Sequence, residues 1–192
     1  MKAINNVLSL DGTNWIDLGI RNDKGEKILF ADRNIGASSP EDDGDLLTWD
    51  EAMALKFSDG NVRLPDIGEL RQLIGSRVEV KFDENDDGTG KLGLLVTGKD
   101  DSASSSVFLP AAGYLYGGCH FDAGYFGGYW SSSLDESDPS YAWDLCFDGG
   151  DWYDDNSELC GGQSVRPVRV VASEPDLGTR TPEQERVALS NN

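Results

Sequence analysis

The sequence predicts an α+β domain in which strands and loops outweigh helix. Three observations carry that reading. Glycine is frequent, with 23 in 192 residues, and turn signals punctuate the chain throughout. Only two internal segments show a helical start signal followed by an apolar stripe. Elsewhere, short apolar runs alternate with polar turns, the pattern of half-buried strands. With 38% hydrophobic residues, a chain of this length forms a single domain, taken as residues 1–171, with a tail at 172–192.

Residues 4–35 read as strands joined by tight glycine turns: VLSL, DGTNW, IDLGI, NDKGE and KILFA. NIGASSPEDDGD (34–45) is a polar connector. In TWDEAMALKF, Thr48 and Glu51 form a capping box, and Trp49, Ala52, Met53 and Leu55 supply an apolar side. In LPDIGELRQLIG, Asp66 and Glu69 form the second box. Ile67, Leu70, Leu73 and Ile74 make the buried stripe there, and Gly75 the stop. DENDDGTG (83–90) matches the start of a calcium loop at Asp83, Asn85, Asp87 and Gly88. The bidentate Glu of such a loop is replaced by Leu94, so a solvated acidic turn is expected. LGLLVTG (92–98) and SVFLPAAG (106–113) read as buried strands.

The composition shifts between 111 and 162. This window holds all six tyrosines, all three cysteines and the sole histidine, yet no Lys, Arg, Met, Gln, Val, Ile or Thr. So few β-branched residues predict few ordinary strands, with GYWSSSL (128–134) and YAWDLCFD (141–148) the exceptions. Tyr129, Trp130, Trp143 and Phe147 are expected inside. DWYDDNSELCGG (151–162) shows no period and reads as irregular. SVRPVRVV (164–171) restores the β-branched pattern and reads as the terminal strand. Its Arg166 and Arg169 are expected to offset nearby carboxylates. Thr181, Pro182 and Gln184 then signal a short helix in the tail.

The net charge of −19 disfavours nucleic acid and anionic membrane surfaces, and leaves cations, neutral sugars and basic protein surfaces open. No apolar run approaches the ~18 residues that span a bilayer, so no membrane insertion is expected. MKAINNVLSLDG carries no apolar signal-peptide region. Three cysteines without a C-x-x-C spacing argue against a disulfide framework and a zinc site. Asp148, Asp151, Asp154 and Asp155 could ligate calcium, but a solvated loop is the expectation, and no metal or cofactor is assigned. A catalytic reading would pair Cys119 or Cys160 with His120. Cys119 and His120 are adjacent, however, and neighbours on an extended chain point apart, so no enzyme is expected. Tyr, Asp, Ser and Gly in loops are the residues of adaptable recognition surfaces. Tyr114, Tyr116, Phe121, Tyr125, Phe126 and Tyr153 sit among glycines without an amphipathic period, so exposure is expected for them.

A run of motifs in order carries a family resemblance: WIDLG (15–19), NIGASSPEDDGD (34–45), RLPDIGELRQLI (63–74), VTGKD (96–100), FLPAAG (108–113), GYWSSS (128–133) and SVRPVR (164–169). Over residues 15–170 the chain resembles the major paralogous domain family of Bacteroidetes and Fibrobacter. That resemblance implies a C-type-lectin-like fold of the formylglycine-generating-enzyme branch. Such a fold has two helices around a small twisted antiparallel sheet, with long irregular loops. The catalytic cysteines of that branch have no match here, and neither do the E-P-N or Q-P-D tripeptides of calcium-dependent lectins. Only Trp143, Asp144 and Leu145 echo the lectin W-N-D.

The window 111–162 is also similar to the variable region of proteins diversified by retroelements, whose adenine-directed changes turn Asn codons into NNY. Such codons never encode Lys, Met, Gln, Glu or Trp, and three of these five are missing from the window. The resemblance implies a non-enzymatic adhesion protein on a virion or cell surface. Its partner would be a protein or glycan ligand on a cell surface, with homo-oligomerisation through the constant part. The contact residues it implies are Tyr114, Tyr116, Cys119, His120, Phe121, Tyr125, Phe126, Tyr153, Asp154, Asp155, Ser157, Leu159 and Cys160. The alternatives are an undiversified glycan-binding module and, less favoured, a Cys/His enzyme.

Overall fold

Hydrophobic alternation and the two capping boxes are realised in a mostly β structure with two short helices among the described residues. The structure, a computed structural model, describes residues 7–75, 78–83, 92–98 and 105–172. In chain order the elements are β1 (Val7–Leu8), β2 (Trp15–Arg21), β3 (Lys27–Ala31), α1 (Trp49–Met53), β4 (Lys56–Phe57), β5 (Val62–Arg63), α2 (Ile67–Leu73) and β6 (Val78–Asp83). They continue with β7 (Gly93–Gly98), β8 (Ser106–Pro110), β9 (Tyr114–Tyr116), β10 (Cys119–Phe121), β11 (Phe126–Leu134), β12 (Tyr141–Asp148), β13 (Asp151–Glu158) and β14 (Val168–Val171). The strands are divided among small sheets rather than gathered in one: β2-β3-β14-β5, β6-β7-β8, β11-β12-β13, the hairpin β9-β10 and the parallel pair β1-β4. Most of the acidic 83–90 turn and the helix signalled at Thr181 lie outside the described residues.

Both helices start where their side chains dictate. The Glu51 carboxylate accepts from Thr48 N–H at 2.9 Å, and the Glu69 carboxylate from Asp66 N–H at 2.9 Å; each reciprocal half is present. Glu69 is buried and is held by Arg63 through two hydrogen bonds of 2.6 and 2.8 Å, so the second cap is also a charge pair. Helices this short owe their stability to packing. Leu70 and Leu73 enter a core with Leu18, Ile20, Ile28, Phe30, Leu94, Tyr129, Leu145 and Phe147. Met53 does not join a core as expected but lies exposed, because α1 ends there without a second turn to carry it inward.

The sheet β11-β12-β13 lies between two cores. Tyr129, Leu145 and Phe147 face the one just described. Trp130 and Ala142 face a second, with Ile35, Leu64, Ala52 and Val165. Trp143, expected inside, is only half-buried and carries the Arg71 guanidinium 5.1 Å above its ring.

Two expectations near the C-terminus are reversed. DWYDDNSE, read as irregular, is the eight-residue strand β13, in unbroken antiparallel register with β12. The window holds five strands, not a few. Conversely, only Val168–Val171 of SVRPVRVV is a strand. The segment before it crosses between partners. Ser164 donates to Gly128 O and accepts from Trp130 N–H, whereas the Val165 and Pro167 carbonyls accept from Ile35 and Ala31 N–H. Pro167 has no N–H to give a ladder, which suits a crossing segment better than a strand interior.

Arg166 is the centre of that crossing. It is 1% exposed and donates to Asn34 Oδ1 at 2.8 Å, Ala31 O at 3.0 Å and Phe108 O at 2.9 Å. Its hydrogen-bonding partners are therefore neutral oxygens rather than the carboxylates expected. Arg169 does meet a carboxylate, Asp59, at 3.0 Å and lies over the Trp15 ring. Leaving buried acceptors unpaired costs about 1–3 kcal/mol apiece, so Arg166→Met should destabilise by roughly 3 kcal/mol or more. Arg169→Met should cost about 1 kcal/mol, as for a half-exposed pair. Urea titration of both variants measures the contrast, and equal losses would remove Arg166 from its central place.

Candidate functional site

The window's outer surface is set by a two-residue turn. Asp148 and Asp151 face each other across Gly149 and Gly150, whose φ values are +46° and +102°. Positive φ at both central residues is the turn that matches strand twist, and glycine adopts it without strain. Once the turn is made, register places Tyr153, Asp155 and Ser157 opposite Cys146, Asp144 and Ala142, on one face. Trp152, Asp154 and Asn156 take the other. β13 ends the sheet, and its acidic side chains keep that edge from pairing with further strands.

A groove of about 500 Å³ opens between the β9-β10 hairpin and the end of β13. Its aromatic wall comes from Tyr114 and Phe126, which meet edge-on at 5.5 Å between ring centroids. Phe121 stacks on Tyr114 from outside at 5.4 Å. The opposite rim is Tyr116, Tyr141 and Glu158. Both phenols donate to the Glu158 carboxylate, at 3.1 and 3.4 Å. Asp122, the one non-glycine residue with left-handed backbone among the described residues (φ +52°), adds another carboxylate to the lining. The floor is Ser157 and Gln163, and Gly128 lies against the Gln163 amide, where a Cβ would come within 2.7 Å of Oε1.

Beneath the floor lies Asp144. It is fully buried, and its Oδ2 accepts from Ser157 Oγ at 2.7 Å and from Gln163 Nε2. Among the described residues its Oδ1 has no donor in hydrogen-bonding geometry, although the Cys146 thiol on the same face is near enough to influence it. Burial pushes the Asp144 carboxyl up to about 6, and Asp155 across the strand pair adds to this; the two hydrogen bonds oppose it. Burial likewise raises the Cys146 thiol, which is not available as a thiolate. Tyr153 is pushed up to about 12 by burial and by its acidic neighbours. Its hydroxyl donates to Asp148 at 3.2 Å.

The thirteen residues named from sequence divide by this geometry. Tyr114, Tyr116, Phe126 and Ser157 line the groove. Phe121, Tyr125, Tyr153 and Asp155 are exposed around it, and Cys119 and Cys160 are exposed free thiols. His120 is exposed, but its Nε2 donates to the Ala112 carbonyl at 2.7 Å. Four are not displayed as expected: Tyr114 and Phe126 are half-buried rather than exposed, because their rings pack against each other, and two more turn away from the surface. Asp154 points to the opposite face and pairs with Arg71 at 2.8 Å. Leu159 packs against the second core, because the turn after β13 folds it back over α1. Sequence reading missed Tyr141, Glu158 and Gln163. The first sits in an ordinary strand pattern, the second fits no NNY codon, and the third lies one residue outside the window. The pairing of β12 with β13 brings Tyr141 to Glu158, and the bridge of Gln163 to Leu47 sets the third beside them.

The Asp144 carboxyl is raised, so the folded state holds an extra proton between about pH 4 and pH 6. Its contribution to stability is therefore lost as pH rises through that interval and stays lost above it. Relative to the native chain, Asp144→Asn should gain about 3 kcal/mol between about pH 4 and about pH 7. Urea titrations of both proteins across that range measure the difference. A constant difference would show that Asp144 does not titrate there.

Comparison with protein families, with curated proteins and with solved structures finds no match to this chain.

Proposed function

We propose that this chain is a non-enzymatic recognition protein that presents a variable Tyr- and Asp-rich face on a C-type-lectin-like scaffold. In this reading it is diversified by a retroelement and meets a ligand from a virion or cell surface. One observation carries the reading. Four aromatic side chains stand in solvent on paired strands or their connecting turns: Tyr116 at 51%, Phe121 at 42%, Tyr125 at 56% and Tyr153 at 38% exposure. Large rings held outward on a hydrogen-bonded framework give contact area at small entropic cost. Among the described residues no helix is long and apolar enough to cross a membrane. Against the Cys/His enzyme stands the His120 ring, engaged with a backbone carbonyl, with Cys119 directed away from it by the strand alternation.

A displayed residue can change without cost to the fold. Replacing Tyr116, Phe121, Tyr125 or Tyr153 singly by Ser, a residue NNY codons reach, should shift stability by less than about 1 kcal/mol. Trp130→Ala, at the buried centre of the β11-β12-β13 sheet, should cost about 3–5 kcal/mol. Serine variants as damaging as Trp130→Ala would end the display reading. The gene's flanks test diversification itself. A reverse transcriptase and a near-copy of the 3′ segment differing at adenines are expected, and a locus lacking both would leave an undiversified module.

A further inference from the structure

We infer that the groove between the β9-β10 hairpin and β13 receives a basic side chain, arginine above all, presented by a partner protein. This rests on the recognition role proposed above and names its ligand chemistry. The floor asks for a donor. Gln163 is 4% exposed, and its amide orientation is set by the bond from Nε2 to Asp144, so Oε1 is the atom left over. It has no partner. A buried acceptor in that state is destabilising until a donor reaches it. Ser157 cannot serve, because its hydroxyl is already given to Asp144.

The rim and wall agree with the floor. The charged groups lining the groove, Asp122 and Glu158, are both anionic. Among the described residues Glu158 is met only by phenol and thiol donors, the Cys160 thiol at 3.6 Å and the two tyrosines. The Tyr114 and Phe126 rings offer the flat apolar surface on which a guanidinium stacks. A guanidinium donates through five N–H groups and accepts through none, the complement of a site rich in acceptors. A neutral sugar could fill the same space but would leave the carboxylates uncompensated. The cavity is wider than one side chain, which leaves room for the flanking backbone of a partner.

The test is a titration of ¹⁵N-labelled full-length protein with N-acetyl-arginine amide, at about 0.15 M salt so that long-range attraction is screened. Saturable shifts are expected at the Gln163 side-chain amide and Gly162. N-acetyl-citrulline amide, the neutral isostere, should bind at least about tenfold more weakly. Methyl glucopyranoside should give no saturable shift. Glu158→Gln should weaken arginine binding about tenfold. Asp151→Asn, which removes the same charge outside the groove, should leave it unchanged. Tyr116→Phe, which frees a Glu158 oxygen, should bind at least as tightly as the native chain. Its spectrum keeps the assignment testable if Glu158→Gln misfolds. Absence of saturable shifts, citrulline equal to arginine, or equal loss in Glu158→Gln and Asp151→Asn would each overturn the assignment. Sugar binding with arginine inert would overturn it too while leaving the recognition role standing. That role fails separately, through the stabilities of the serine variants.

Discussion

Arg166 sits where water does not reach, and oxygens from three separate segments close on its guanidinium. Ala31 ends β3, Asn34 begins the polar connector, and Phe108 belongs to β8. A buried cation tolerates such a place only when its donors are used, and Arg166 directs Nε, Nη1 and Nη2 each at an acceptor. Burial pulls its pKa down, yet an arginine remains charged. The neighbouring Tyr129 hydroxyl donates to Pro110 O at 2.8 Å and accepts from Asn34 at 3.4 Å, extending the same polar knot. The knot fixes three sheets relative to one another at the point where the chain crosses from the β11-β12-β13 sheet back to β14.

That anchoring explains how an acidic surface can be tolerated. β12 is buried on both faces at its centre and serves as the template, so β13 needs little intrinsic propensity of its own. Asp148, Gly149, Gly150 and Asp151 set the register, and the strand then follows its partner for eight residues. Aspartate is a poor strand former, but propensity is a weak preference that cross-strand pairing overrides. The side chains of such an edge strand are free to differ, whereas the backbone bonds are not. Backbone ladder and outward side chains are therefore separable at the level of physics: the ladder uses main-chain atoms, which leaves the side chains for the proposed recognition role.

Much of the scaffold was legible along the chain. The two capping boxes are local signals, satisfied within one helical turn, and both appear where Thr48 and Asp66 place them. Tyr129, Trp130 and Phe147 were readable as core because they lie in the two segments of the window that read as ordinary strands. The exposed tyrosines were readable from the glycines around them. β13 was not legible, because an edge strand with polar residues on both faces has no period to detect. The DGGD turn was its one available signal. Asp154 misled for a related reason: a shift of one residue in a strand moves a side chain to the other face, and only register says which.

Residue types and short spacings alone determined the strand-rich class, the helix starts, the acidic character and the segment bearing the exposed aromatics, since each depends on neighbours a few positions apart. The groove was decided only by the fold. Gln163, Glu158, Tyr141 and Tyr114 come from segments with no local pattern in common, and they meet because hydrogen-bonded ladders bring distant backbone into register. The use of Arg166 was decided the same way. Its type announced a charge to be compensated, but only packing could supply carbonyl oxygens in place of carboxylates.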